Sequence, residues 1–115
     1  MRVAELNFDS TAIVDTAAPW SIIEPELAES AGLLELEGVA IPIKTWFGTA
    51  KGKLVPVAIT LLAKDGVPLN LEATVFVSAD WPKGWNFIGY HGFLERIRFA
   101  IEPSPTNYFY FGPAD

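Results

Sequence analysis

Asp15, followed at once by Thr16, is the residue of this chain whose type and setting could do chemistry. It ends the stretch Ala12-Ile13-Val14, whose β-branched apolar residues predict an extended, buried strand. A carboxylate at the buried end of an apolar strand is costly unless hydrogen bonds or a charged partner compensate it. A carboxylate kept in such a place is a candidate general acid or base. The plainer alternative is turn chemistry, because Asp and Thr bond nearby backbone and Pro19 stiffens the chain just beyond them.

Other chemistries are closed off by composition. The chain has 115 residues and no cysteine, which removes disulfides, thiolate metal sites and Cys nucleophiles together. His91 is the single histidine, so no multi-histidine metal centre can form within one chain, and a Ser-His-Asp triad would have to use it. Nothing else supplies partners for His91, which reads as a surface or capping residue. No metal and no cofactor is implied. Half the residues are hydrophobic and 19% are charged, the profile of one folded domain spanning 1–115. The net charge of −6 argues against nucleic acid or an anionic membrane surface as partner. No window has the length of a membrane span and the start lacks a signal-peptide apolar core, so a cytoplasmic protein is expected.

The elements that must position Asp15 are mostly strands. Val3 to Phe8 and Thr11 to Asp15 read as strands around a turn at Asp9-Ser10. Pro25 to Gly32 reads as a short helix, with Pro25 at its first position, Gly32 at its stop, Leu27 and Ala31 inward and the glutamates solvated. Val39 to Phe47 and Lys53 to Leu62 alternate with period two around Gly48-Thr49-Ala50-Lys51-Gly52, which predicts a hairpin with a glycine-flanked tip. Trp46 would sit near that tip or pack on the core; sequence leaves both open. Pro42 and Pro56 should face an unpaired edge or a bulge. Leu69 to Val77 is the clearest alternating strand, and Ser78 to Asn86 is a loop whose Trp81 and Trp85 form a binding patch or pack on the sheet. Phe87-Ile88, a short helix over Phe93 to Ile97, and strands at Arg98 to Glu102 and Asn107 to Phe111 complete the chain.

Ile13-Val14-Asp15-Thr16-Ala17-Ala18 resembles the hydrophobic-hydrophobic-Asp-Thr-Gly-Ala signature of the retropepsin-like aspartic proteases. Phe87-Ile88-Gly89-Tyr90, with Phe93 to Arg96 behind it, resembles the hydrophobic-hydrophobic-Gly segment and short helix that close that fold. The bacterial single-domain members are the nearest match, and the resemblance covers most of the chain. It implies an all-β, retropepsin-like (acid protease) barrel of about six or more strands, with one short helix after the Asp-Thr motif and a short helix near the C-terminus.

The same resemblance implies a mechanism. Aspartic peptidases need two carboxylates sharing one proton, one activating water and the other protonating the peptide carbonyl. Asp9, Asp65 and Asp80 fall in expected turns and Asp115 is terminal, so one copy offers only Asp15. A symmetric homodimer would set two Asp15 face to face, with Thr16 bonding across the junction and the terminal aromatic strand adding to the dimer sheet. The hairpin would be the flap over a peptide or protein substrate, contacted by Ala17, Ala18, Trp46, Phe47, Gly48 and Gly52. Two departures stand out. Ala17 replaces the family glycine, whose backbone freedom and small size let substrate approach, so weakened activity is expected. Pro19 and Tyr90 replace an acidic residue and an arginine that pair near the dimer axis of viral members, and because both are gone no charge is stranded. The competing expectation is a catalytically weakened or inactive dimer of the same fold that binds a peptide or protein partner. An unrelated β-barrel binding module ranks third.

Overall fold

A computed structural model of the chain describes residues 1–114; Asp115, set aside above as a terminal residue, lies outside them. Two very short strands, β1 (Arg2–Val3) and β2 (Ile13–Val14), precede β3 (Ser21–Ile23) and helix α1 (Pro25–Ser30). The hairpin of β4 (Val39–Thr45) and β5 (Gly48–Leu61) leads to β6 (Leu69–Val77) and β7 (Phe87–Ile88), and β8 (Ile97–Ile101) with β9 (Phe109–Pro113) closes the chain. Single 3-10 turns occupy Leu33–Glu35 and Leu94–Arg96.

Seven strands make one sheet in the order β1-β5-β6-β3-β7-β2, with β4 lying along the outer half of β5. The protein is all-β in class, and this sheet curls into half a barrel. A closed barrel is not reached: no ladder joins β1 to β2, and the two ends meet through Met1 and Ser10, whose N–H groups each donate to the other's carbonyl at 2.7 and 2.8 Å. That junction also shortens the expected first strand. After Val3 the chain turns through Ala4, at φ 51°, instead of running extended to Phe8, and Leu6 N–H bonds back to the Val3 carbonyl. β8 and β9 pair only with each other and form a separate ribbon.

β5 and β6 carry two cores on opposite faces. Val55, Val57, Ile59 and Leu61 alternate into the main core with Ala73, Val75 and Val77 of β6. One residue out of that phase, Ala50 and Phe76 are wholly buried on the other face, in a smaller cluster with Ile22 and Trp81. The buried side of β5 therefore changes between Leu54 and Val55. Pro56 falls where β4 has ended and β1 has not begun: β4 reaches Leu54 and β1 starts at Ile59. Its missing N–H faces that gap, and Pro42 lies on β4, whose other edge is open.

Helix α1 starts at Pro25 as expected, and Gly32 (φ 73°) follows its end. Its buried pair is Leu27 and Ala28, not Leu27 and Ala31, which is half-buried. Glu24, the residue just before the helix, is buried: its carboxylate caps the helix by accepting the N–H groups of Glu26 and Leu27 at 2.9 and 2.8 Å.

Candidate active site

The two sequence stretches that carry the resemblance are bonded to each other. β2 runs parallel to β7, Ile13 opposite Phe87 and Val14 opposite Ile88, and the Asp15 N–H donates to the Ile88 carbonyl at 2.9 Å. β7 also pairs with β3 on its other side, at Ile22 opposite Phe87. It thus threads between two strands that are consecutive in the chain, and the loop from Asp15 to Trp20 must arch over its end. That end is Gly89, the position where the loop comes closest: a Cβ there would stand 2.8 Å from the Ala18 carbonyl oxygen and nearer still to the carbonyl of Trp20. Gly89 N–H donates to the buried Ser21 hydroxyl at 2.8 Å, Tyr90 N–H to the Ala18 carbonyl at 2.9 Å and His91 N–H to the Pro19 carbonyl at 2.8 Å.

Asp15 is half-buried at the mouth of this arch, and its Oδ1 accepts the Ala17 N–H at 3.0 Å, which fixes the carboxylate's direction. Thr16 and Ala17 are exposed and Ala18 is half-buried. Ala17 lies outside the left-handed region, which only Ala4 and Asn107 enter among the described non-glycine residues. The conformational reason for a glycine here therefore falls away. What remains of the expected crowding is one exposed methyl group.

Asp15 lines a groove of about 530 Å³ together with all four tryptophans of the chain: Trp20, Trp46, Trp81 and Trp85. Trp81 is the floor, 9% exposed, with its indole N–H donated to the Trp85 carbonyl at 3.0 Å. Phe47 reaches from the hairpin to Trp81 edge-on at 5.4 Å between ring centroids, and Trp85 stacks on Phe87 at 6.3 Å. Trp46, beside Phe47, is 94% exposed. Of the two readings of Trp46 the tip position is the one observed, and in the tryptophan loop Trp81 packs inward while Trp85 is exposed.

The hairpin tip differs from the expected one. Thr45 pairs with Gly48, so the turn is Trp46-Phe47, and Thr45 Oγ1 donates to the Gly48 carbonyl at 2.6 Å. Gly48 supplies the positive φ, 120°, that lets so tight a turn close. Gly52 is inside β5, opposite Ile41, where a Cβ would come within 2.7 Å of the Phe76 ring and closer still to the Val77 carbonyl oxygen. It is small to fit the second core, not to loosen a loop. Asp15, Ala18, Trp46 and Phe47 therefore line the groove, whereas Thr16, Ala17, Gly48 and Gly52 do not. Sequence reading does not assign Trp20 or Phe87 to the site, and it leaves Trp81 and Trp85 between a binding patch and packing on the sheet; the signal for them is that tryptophans are rare and this chain places two of them in a single loop.

That loop is anchored from beneath. Besides capping α1, the Glu24 carboxylate accepts the Gly84 N–H at 3.3 Å. Asn86, also buried, accepts the Glu24 N–H at 2.8 Å and donates to the Thr11 carbonyl at 3.1 Å, tying the Trp85 wall to the strand that leads into Asp15. Glu24→Ala is expected to cost about 1–2 kcal/mol, from the lost cap and the stranded N–H groups, and to loosen the Trp85 wall. Urea unfolding monitored by circular dichroism reads the first effect, and acrylamide quenching of tryptophan fluorescence reads the second.

His91 is exposed, its Nδ1 3.4 Å from Glu95, and Gly92 N–H donates to the Glu95 carboxylate at 2.7 Å. That N–H, helped by His91, holds Glu95 below the usual carboxylate range. The pair sits on the far side of Tyr90 from Asp15 in sequence and lines no part of the groove. Among the described residues no group of three or more His, Asp or Glu could hold a metal ion. Comparison with protein-family models, with curated proteins and with solved structures finds no match to this chain.

Proposed function

We propose that this chain is a homodimeric aspartic peptidase of the retropepsin-like kind, cytoplasmic in setting, with Asp15 of each copy supplying half of a proton-sharing dyad. The supporting observation is the convergence of two distant stretches on one loop, which presents a single oriented carboxylate at the end of an aromatic groove. The groove takes a bulky apolar side chain against Trp81. Ile43, Lys44 and Thr45 line it in succession, although successive strand residues point to opposite faces, so it meets β4 along an edge. β4 pairs only with β5, and its free edge can accept an extended peptide as an added strand. Phe47 and Trp46 cover the bound segment, and the exposed Thr16, Pro19 and Tyr90 are free to meet a second copy. No helix among the described residues is long and apolar enough to cross a membrane.

Sedimentation at micromolar concentration tests the dimer: a species of twice the monomer mass is expected, and monomer alone would remove the basis for catalysis. The second reading, a dimer of this fold that binds peptide without cutting it, is favoured by Ala17. Cleavage of a peptide library should be weak for the chain as it stands and rise about tenfold in Ala17→Gly, because removing the exposed methyl two residues from Asp15 clears room for a substrate backbone to approach. Equal rates would clear the methyl of any effect. Dimers that cut nothing in either form would put the binding reading ahead.

A further inference from the structure

The chain carries eight lysines and arginines against fourteen acidic residues. Arg2 and Lys83 hold carboxylates, Lys53, Arg96 and Arg98 bond backbone carbonyls, and Lys64 lies over the Tyr108 ring. Lys44 and Lys51 alone have no side-chain partner among the described residues. They are not scattered. In the hairpin register Lys44 faces Thr49 and Pro42 faces Lys51, which makes the two lysines diagonal neighbours on one face. The opposite face packs Ile41, Ile43 and Ala50 inward onto the smaller core. No Asp or Glu occurs anywhere from 39 to 54. Lys44, moreover, lines the groove, where Asp15 is the only other charged side chain.

An acidic protein has thus left two neighbouring lysines of one hairpin without a partner among the described residues, and one of them, Lys44, lines an apolar groove. We propose that the groove selects peptides carrying Asp or Glu next to a bulky apolar residue, with Lys44 determining that preference and Lys51 reinforcing it. This rests on reading the groove as a peptide site, and it concerns binding, not bond cleavage. The apolar side chain sits on Trp81 while a neighbouring carboxylate, one step along the extended peptide, meets Lys44 at the hairpin's edge. The arrangement also rejects basic flanking residues through like-charge repulsion.

The test uses the full chain with Asp15→Asn, so that bound peptides stay intact, and three short fluorescein-labelled peptides. Each has a central Phe, flanked by Glu in one, Gln in the second and Lys in the third. Fluorescence anisotropy should show the Glu peptide bound about fivefold more tightly than the Gln peptide at low salt, with the ratio falling towards one at about 0.5 M salt. In Lys44→Gln the Glu preference should vanish, with circular dichroism and tryptophan emission matching those of the parent protein to show that the groove is intact. In Lys44→Glu the order should reverse in favour of the Lys peptide. Equal affinity for all three peptides, binding of none, or a Glu preference that survives Lys44→Glu would each overturn the proposal. So would capture of the protein by phosphatidylserine vesicles without discrimination among the peptides, which would assign the lysines to a lipid surface. A protein that cleaves nothing yet keeps the Lys44-dependent preference would refute the peptidase reading and leave this inference standing.

Discussion

Asp15→Asn is expected to reduce peptide cleavage by about a hundredfold to ten-thousandfold, the range over which a positioned acid–base group contributes. The substitution is nearly silent structurally. Asn Oδ1 can still accept the Ala17 N–H, which in the native chain reaches Asp15 Oδ1 at 3.0 Å, and the bond from the residue 15 N–H to Ile88 is backbone only. Loop geometry and sedimentation should therefore be unchanged while turnover falls. In a homodimer one substitution removes both halves of the dyad, so no partly active species remains. Progress curves for native and Asp15→Asn protein at equal dimer concentration decide the matter: cleavage that persists undiminished would belong to other residues.

Gly89→Ala should be the most damaging single substitution to the fold around the site, at about 3 kcal/mol or more. The added methyl would meet backbone oxygens of Ala18 and Trp20, not flexible side-chain ends, so there is nothing nearby to swing aside. Relief would require lifting the Asp15–Trp20 arch from β7, at the expense of the bonds from Tyr90 and His91 to Ala18 and Pro19. Denaturant unfolding should show the midpoint moving sharply downward. At Gly112, by contrast, a Cβ would meet nothing within 4 Å, and alanine there should be tolerated. Equal midpoints for the two variants would mean that the arch is more compliant than its bonding indicates.

Much of the scaffold is legible because burial on one face writes period two into the chain. The alternation from Leu69 to Val77 marks both observed ends of β6 for that reason. The expected hairpin tip is misplaced because glycine at Gly48 and Gly52 signals a loop when read locally, whereas at Gly52 it answers to the Val77 backbone and the Phe76 ring, which are distant in sequence. The Val3 to Phe8 strand fails for a related reason: its extension is overridden by the bonds between Met1 and Ser10, which a local pattern cannot show. The site is half legible. Asp15, Ala18, Trp46 and Phe47 come from the resemblance and its implied flap, but Trp81 and Trp85 lie in an irregular loop, where no periodicity says which way a side chain faces. Their placement is set by Glu24 and Asn86 beneath them, and a buried carboxylate among five nearby glutamates looks like any other until the helix start is fixed.

The change of buried side along β5 has a mechanical consequence. From Val55 onward the strand is bonded to β6, and at Ile59 and Thr60 to β1 as well, with alternate side chains in the main core, while from Gly52 back to Gly48 it projects beyond β6, whose pairing with it ends at Lys53, and keeps only β4 beside it. The hairpin is therefore a beam fixed at one end, not a door on a hinge. Lifting Phe47 off Trp81 to admit a ligand must bend the overhang along its length, and the stiffness of that bend is set by the small residues wedged beneath it, Ala50 and Gly52 against Phe76. Amide exchange along this one strand should consequently form a gradient, slowest near Val57 and Ile59 and quickening residue by residue towards Gly48, without the step that a hinge would leave.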